Sequence, residues 1–278
     1  LRIGKIMSKS IAKIHILMKN YRKKLRHIWE EYSFIEYYAP YLHENIKNGT
    51  LPPYEFEPFL NNRQLRKTTK RTSLSALDQV LKNSIKNRVL LDSIGIFEDY
   101  ICNLAEIVYT DYPEKLKNNN KGQTEKEEQK YINFIMDSDT KEEMISKIIE
   151  EKLRSIFYGN PLDIFEKDKV QLSFGKYFTD NYQHVLDEYK EITATRNVII
   201  HNNGKVDRKY LREVVGTSYN LRNRIILERQ YLKKTLSILE GLAAISSKLV
   251  VENIYNGIPR GKLENSIKSF KNGVGKTV

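Results

Sequence analysis

The chain holds 278 residues, 40% of them apolar, enough for one large domain or two modest ones with a sizeable core. Its 47 Lys and Arg against 35 Asp and Glu leave a formal charge of +12, which favours a polyanionic partner, nucleic acid before an anionic membrane surface. A single cysteine, Cys102, excludes a disulfide within the chain and fits a reducing, cytoplasmic setting, and no stretch reaches the ~18 uninterrupted apolar residues that cross a bilayer.

Glycine and proline are sparse, 13 and 7, so few turns and long helices are expected. From about Ser8 to Tyr38, apolar residues such as Ile11, Ile14, Met18, Tyr21, Leu25 and Ile28 recur at helical spacing, with Lys and Arg filling the other face. NGTLPPYEFEPFLNNRQ breaks that pattern and reads as a linker. Leu74 to Val108 then step by three and four until Tyr112-Pro113 stops the helix, with Gly95 marking a bend or a helix contact. Lys115 to Lys130 is charged and reads as a mobile loop. Asp139 with Glu142 matches a capping box opening a helix that closes at Gly159. Further helices are expected over Phe174 to His201, over VDRKYLREVV, and from Leu221 to Tyr255. No alternating strand pattern and no internal repeat is visible. The expected fold is an all-α bundle of long antiparallel helices: a basic amphipathic extension and linker at 1–60, the main helical domain at 61–255, and a polar tail at 256–278.

Chemistry concentrates in RNVIIHNNG, residues 196 to 204. Asn202, Asn203 and Gly204 form a stop signal, which puts His201 on the last helical turn. Asn197 and His201, four apart, share a face; Arg196 and His201, five apart, point roughly 140° from each other. One helix does not bring arginine and histidine together, but two copies meeting at a dyad can. Cleaving RNA without a metal needs a base for the 2′-hydroxyl, a cation for the phosphorane and an acid for the leaving 5′-oxygen. Histidine titrates in the range for acid or base work, arginine holds phosphate oxygens with a planar fork, and asparagine orients the histidine or the phosphate. The same spacing also suits a helix-end histidine bonded to backbone with a surface arginine. It occurs again at Arg22 and His27, with no polar uncharged neighbour and no helix stop.

RNVIIHNNGKVDRKYL resembles the signature of the HEPN superfamily of helical ribonucleases and RNA-binding modules: an arginine, a polar residue beside it, and a histidine after four to six intervening residues. With LDSIGIFEDYICNLAEIVYTDYPEKL upstream, the likeness is to the branch labelled RiboL-PSP-HEPN, over roughly residues 74 to 255. The arginine, polar residue and histidine fall on Arg196, Asn197 and His201 as catalytic candidates. The resemblance implies an α-helical homodimer and metal-independent endonucleolytic cleavage to a 2′,3′-cyclic phosphate. It further implies a bacterial toxin–antitoxin, abortive-infection or antiphage setting, with an antitoxin or sensor protein as a further partner. A non-catalytic HEPN module binding RNA or a partner protein is the alternative. Glu98 lies where such proteins often carry an acid near the cleft and is a candidate to orient His201 or an arginine.

Two basic groups are RNA-binding candidates: Arg22, Lys23 and Lys24 in the first helix, and Arg66, Lys67, Lys70 and Arg71 after the linker. Equally, the first helix can lie on anionic lipid or present a solvated face. Tyr32, Phe34, Tyr37, Tyr38 and Tyr41 either stack on bases or belong to a core or interface. No metal-ligand spacing, glycine-rich phosphate loop, GxSxG or cysteine–histidine nucleophile pattern occurs, so neither metal nor cofactor is expected, and nucleotide hydrolase and acyl-transfer chemistry is disfavoured.

Overall fold

A computed structural model describes residues 2–59, 65–116, 138–140, 143–144, 146–151 and 160–273. Among the described residues the molecule is all-α apart from one two-stranded hairpin. Helix α1 runs Arg2–Asn48, well beyond the expected Tyr38 and through Pro40, and stops at Gly49, whose positive φ of 79° suits a helix end. The linker is not structureless: β1 (Glu55–Phe56) pairs antiparallel with β2 (Arg66–Lys67). Thr69 caps α2 (Lys70–Gln79), its hydroxyl accepting from the Thr72 N–H at 3.1 Å. A π turn over Val80–Ser84 leads without a break into α3 (Ile85–Asp111), which ends just ahead of Tyr112-Pro113.

Helix α3 is the axis of the core. Val89, Leu90, Ile94, Phe97, Ile101, Leu104 and Val108 are buried along it, against Ile14, Met18, Tyr21, Leu25 and Tyr32 of α1 and against α7 (Arg229–Leu249). The apolar stripe of α1 therefore belongs to the same core as the rest of the chain. Asp111 ties three segments, accepting from the Ser10 hydroxyl at 2.6 Å and from the Tyr255 hydroxyl at 2.8 Å. A Cβ on Gly95 would meet nothing within 4 Å, so no close helix contact depends on that glycine.

Thr140 supplies the cap expected from Asp139: its hydroxyl accepts from the Glu143 N–H at 3.1 Å, while the Glu143 carboxylate accepts from the Asp139 N–H at 3.1 Å. Residues 143–144 and 146–151 are helical; Glu142, Gly159 and most of the expected loop from Lys115 to Lys130 lie outside the described residues.

Beyond the short α4 (Asp163–Glu166), α5 covers Tyr177–His201 and α6 Arg208–Glu213. Two expectations for the C-terminal third are corrected. Residues 221–228 are not the first turns of α7 but a return segment. Arg222 takes a φ of +68°, the Val206 N–H donates to the Asn223 carbonyl at 2.9 Å, and the Ile225 N–H donates to the Gly204 carbonyl at 2.9 Å. The polar tail is largely α8 (Lys262–Gly273), whose Leu263, Ile267 and Phe270 are buried against α7.

Candidate functional site

The far end of α5 is built on a small apolar cluster of its own. Ala194 and Val198, four apart on one face, pack against Val206 and Tyr210, with Leu211, Val214, Tyr219 and Ile225 around them. The turn joining α5 to α6 is fixed by its own polar chemistry. Asn203 and Gly204 adopt φ of 53° and 78°, and the Gly204 N–H donates to the Val198 carbonyl at 3.1 Å. Asp207 caps α6, accepting from the Tyr210 N–H at 2.7 Å, and also accepts from the Asn202 side-chain amide at 2.5 Å. The Tyr210 N–H, and secondarily the Asn202 amide, hold the Asp207 carboxyl below its ordinary value. Asn202 reads from the sequence only as a stop signal; its bond to Asp207, five residues on, follows from the geometry of the turn.

On this scaffold His201 is exposed on the last turn, and its ring makes no hydrogen bond or ion pair with the described residues. Arg196 faces away, toward α3, and its side chain is 34% exposed. The guanidinium donates to the Asn197 side-chain oxygen at 3.2 Å and lies 4.0 Å from a Glu98 carboxylate oxygen. Of the two partners expected for Glu98 the structure thus gives it the arginine rather than His201, and Asn197, expected to orient the histidine or the phosphate, instead holds Arg196. Burial pushes the Glu98 carboxyl above its ordinary value, with Arg196 opposing and Asp99 adding to the rise. One protomer brings together Arg196, Asn197 and Glu98, and leaves His201 on a different side of the helix.

The basic candidates do not converge. Arg22 is half-buried and donates to Glu240 on α7 at 2.8 Å, Lys23 lines a groove between α1, α7 and α8, and Lys24 is exposed outside that lining. Arg66 and Lys67 are exposed on β2, with Lys67 3.3 Å from Glu55 across the hairpin, and Lys70 and Arg71 are exposed at the start of α2. Helices α1 and α2–α3 run antiparallel, with Glu31 beside Arg88 and His43 acting on Asp78, so the first group lies midway along α1 and the second near its C-terminal end. Of the aromatic run, Tyr32 is buried in the core, whereas Phe34, Tyr37, Tyr38 and Tyr41 are exposed. No three of the described His, Cys, Asp and Glu side chains gather where they could hold one metal ion, and no described helix is long and apolar enough to cross a membrane.

Compared with family models, with curated proteins and with solved structures, the chain matches none.

Proposed function

We propose that the protein is a metal-independent endoribonuclease of the HEPN type that works as a homodimer. The observation supporting this reading is the presence, on one helix end, of a restrained cation and of an imidazole that bonds to none of the described residues: Arg196 held by Asn197 and Glu98, His201 exposed five residues on. Across a dyad, Arg196 of one protomer and His201 of its partner face the same phosphodiester. The imidazole removes the 2′-hydroxyl proton as O2′ attacks phosphorus, the guanidinium binds the non-bridging oxygens as charge builds on them, and a protonated imidazole returns a proton to the leaving 5′-oxygen. The products are a 2′,3′-cyclic phosphate and a 5′-hydroxyl. The proposed setting is a bacterial toxin–antitoxin, abortive-infection or antiphage system.

Incubation of end-labelled single-stranded RNA with the protein and a chelator tests this. His201→Ala and Arg196→Ala are each expected to lower cleavage by about 10²–10⁴-fold while leaving the helical circular-dichroism spectrum unchanged. Undiminished cleavage by His201→Ala rejects the assignment. Binding without product by the unaltered protein rejects catalysis in favour of a phosphate clamp.

A further inference from the structure

Between α1, α7 and α8 lies a groove of about 650 Å³ lined by Lys19, Lys23, Arg26, Trp29, Lys233 and Lys262, among others. Six of its lining side chains are cations, and the single carboxylate among them, Glu240, is already held by Arg22 at 2.8 Å and by the Ser266 hydroxyl at 2.8 Å. Lys19, Lys23, Lys233 and Lys262 make no ion pair with the described residues, and Arg26 meets only the exposed Glu30, at 3.4 Å. Crowding that many like charges into one concavity disfavours the free protein and favours an anionic occupant. None of these residues belongs to the α5 motif.

The same side of α1 continues past the groove as a row of rings. On the 3.6-residue repeat, Lys19, Lys23, Arg26, Tyr37 and Tyr41 fall within about 60° of one another, and the run from Lys19 to Tyr41 spans about 33 Å. Phe34 and Tyr38 lie 4.7 Å apart, Tyr37 and Tyr41 6.0 Å, and all four rings are 46–64% exposed. Cations followed in line by stacking surfaces match a polymer carrying regularly spaced phosphates and bases, and exceed what one mononucleotide can cover. A lipid surface fits less well. The apolar stripe of α1 is committed to the core through Ile14, Met18, Tyr21 and Leu25, and a bilayer cannot enter a groove walled by three helices.

We infer that this face of α1 is a binding track for single-stranded nucleic acid, with the phosphates in the α1–α7–α8 groove and the bases on the Phe34–Tyr41 rings. The inference shares the nucleic-acid partner of the nuclease reading but does not depend on cleavage. Trp29 is the only tryptophan, so its emission reports on the groove. The probe is a 2′-O-methyl oligouridylate of about twelve nucleotides, a strand that 2′-hydroxyl chemistry cannot cut.

Titration should quench Trp29, and equally so in His201→Ala, which separates the track from the catalytic proposal. Changing Lys19, Lys23 and Lys233 together to Gln should weaken binding about tenfold and lower the slope of log affinity against log salt by about 2. Tyr37→Ala with Tyr41→Ala should weaken it by a similar factor, about tenfold, at unchanged slope. All five positions are exposed, so these variants are expected to fold. Absence of quenching, variants that bind like the parent, ATP binding as tightly as the strand, or phosphatidylserine vesicles binding in preference to it would each overturn the track.

Discussion

Holding Arg196 in place leaves Glu98 where its charge is disfavoured. Its side chain is 24% exposed, the guanidinium stands at 4.0 Å rather than in close contact, and burial outweighs that attraction, so the folded-state carboxyl titrates above its ordinary value of 4.5. The sign of the linkage follows from this. Ionised Glu98 destabilises the fold above its raised folded value, and that penalty fades as pH falls through it toward the unfolded value, where both states are neutral. Glu98→Gln should therefore melt above the parent at pH 7, with the gap closing as pH falls through the raised folded value and gone below about pH 4.5. RNA cleavage at pH 7 should fall about tenfold as Arg196 loses its second anchor. Thermal melts across that pH range decide the stability half: a variant less stable at pH 7 by a pH-independent amount would mean that Arg196 governs Glu98 after all.

At the scale of elements, the α7–α8 contact is the one the sequence hid. A Cβ on Gly241 would overlap the Phe270 ring, which is 5% exposed. Gly241→Ala should thus cost about 1–3 kcal/mol by overpacking and Phe270→Ala about 3–5 kcal/mol by loss of a buried ring. In the double variant the alanine methyl occupies space the ring vacates, so the combined loss in urea unfolding should fall below the sum. Additive losses would mean that the two residues do not meet. Helix α8 was legible in principle: Leu263, Ile267 and Phe270 recur at helical spacing, but lysine and asparagine between them dilute the signal. Helix α3 read clearly because nearly every third or fourth residue is apolar and Tyr112-Pro113 ends it. Residues 221–228 misled for the opposite reason. Leu221, Ile225 and Ile226 imitate a helical stripe, yet the segment is claimed by backbone bonds to Gly204 and Val206, partners about twenty residues away that local periodicity does not register. At the candidate site, likeness to a known motif rather than spacing alone singled out Arg196, Asn197 and His201. That Glu98 stands beside Arg196 rather than His201 was not legible, because only the packing of α3 against α5 brings the two together.

For the whole molecule the consequence is that the proposed chemistry belongs to a pair of chains. In one protomer Arg196 turns toward α3 while His201 projects from the last turn of α5, so a phosphate held by one is not presented to the other. A homodimer, about twice 32.7 kDa by light scattering, is the expected species. If each scissile phosphate meets Arg196 from one chain and His201 from the other, mixing two inactive variants has a defined outcome. An Arg196→Ala chain paired with a His201→Ala chain forms one cleft lacking both groups and one cleft with both intact. Random re-association of equal amounts after mild dissociation should then recover about a quarter of the parent activity, half of the dimers being mixed and each mixed dimer having one sound cleft of two. If a single chain supplied both groups, every cleft in the mixture would be defective and no activity would return. Cleavage rates at fixed total protein, with each variant alone as the baseline, separate the two arrangements, since recovery requires residues from both protomers at one phosphate.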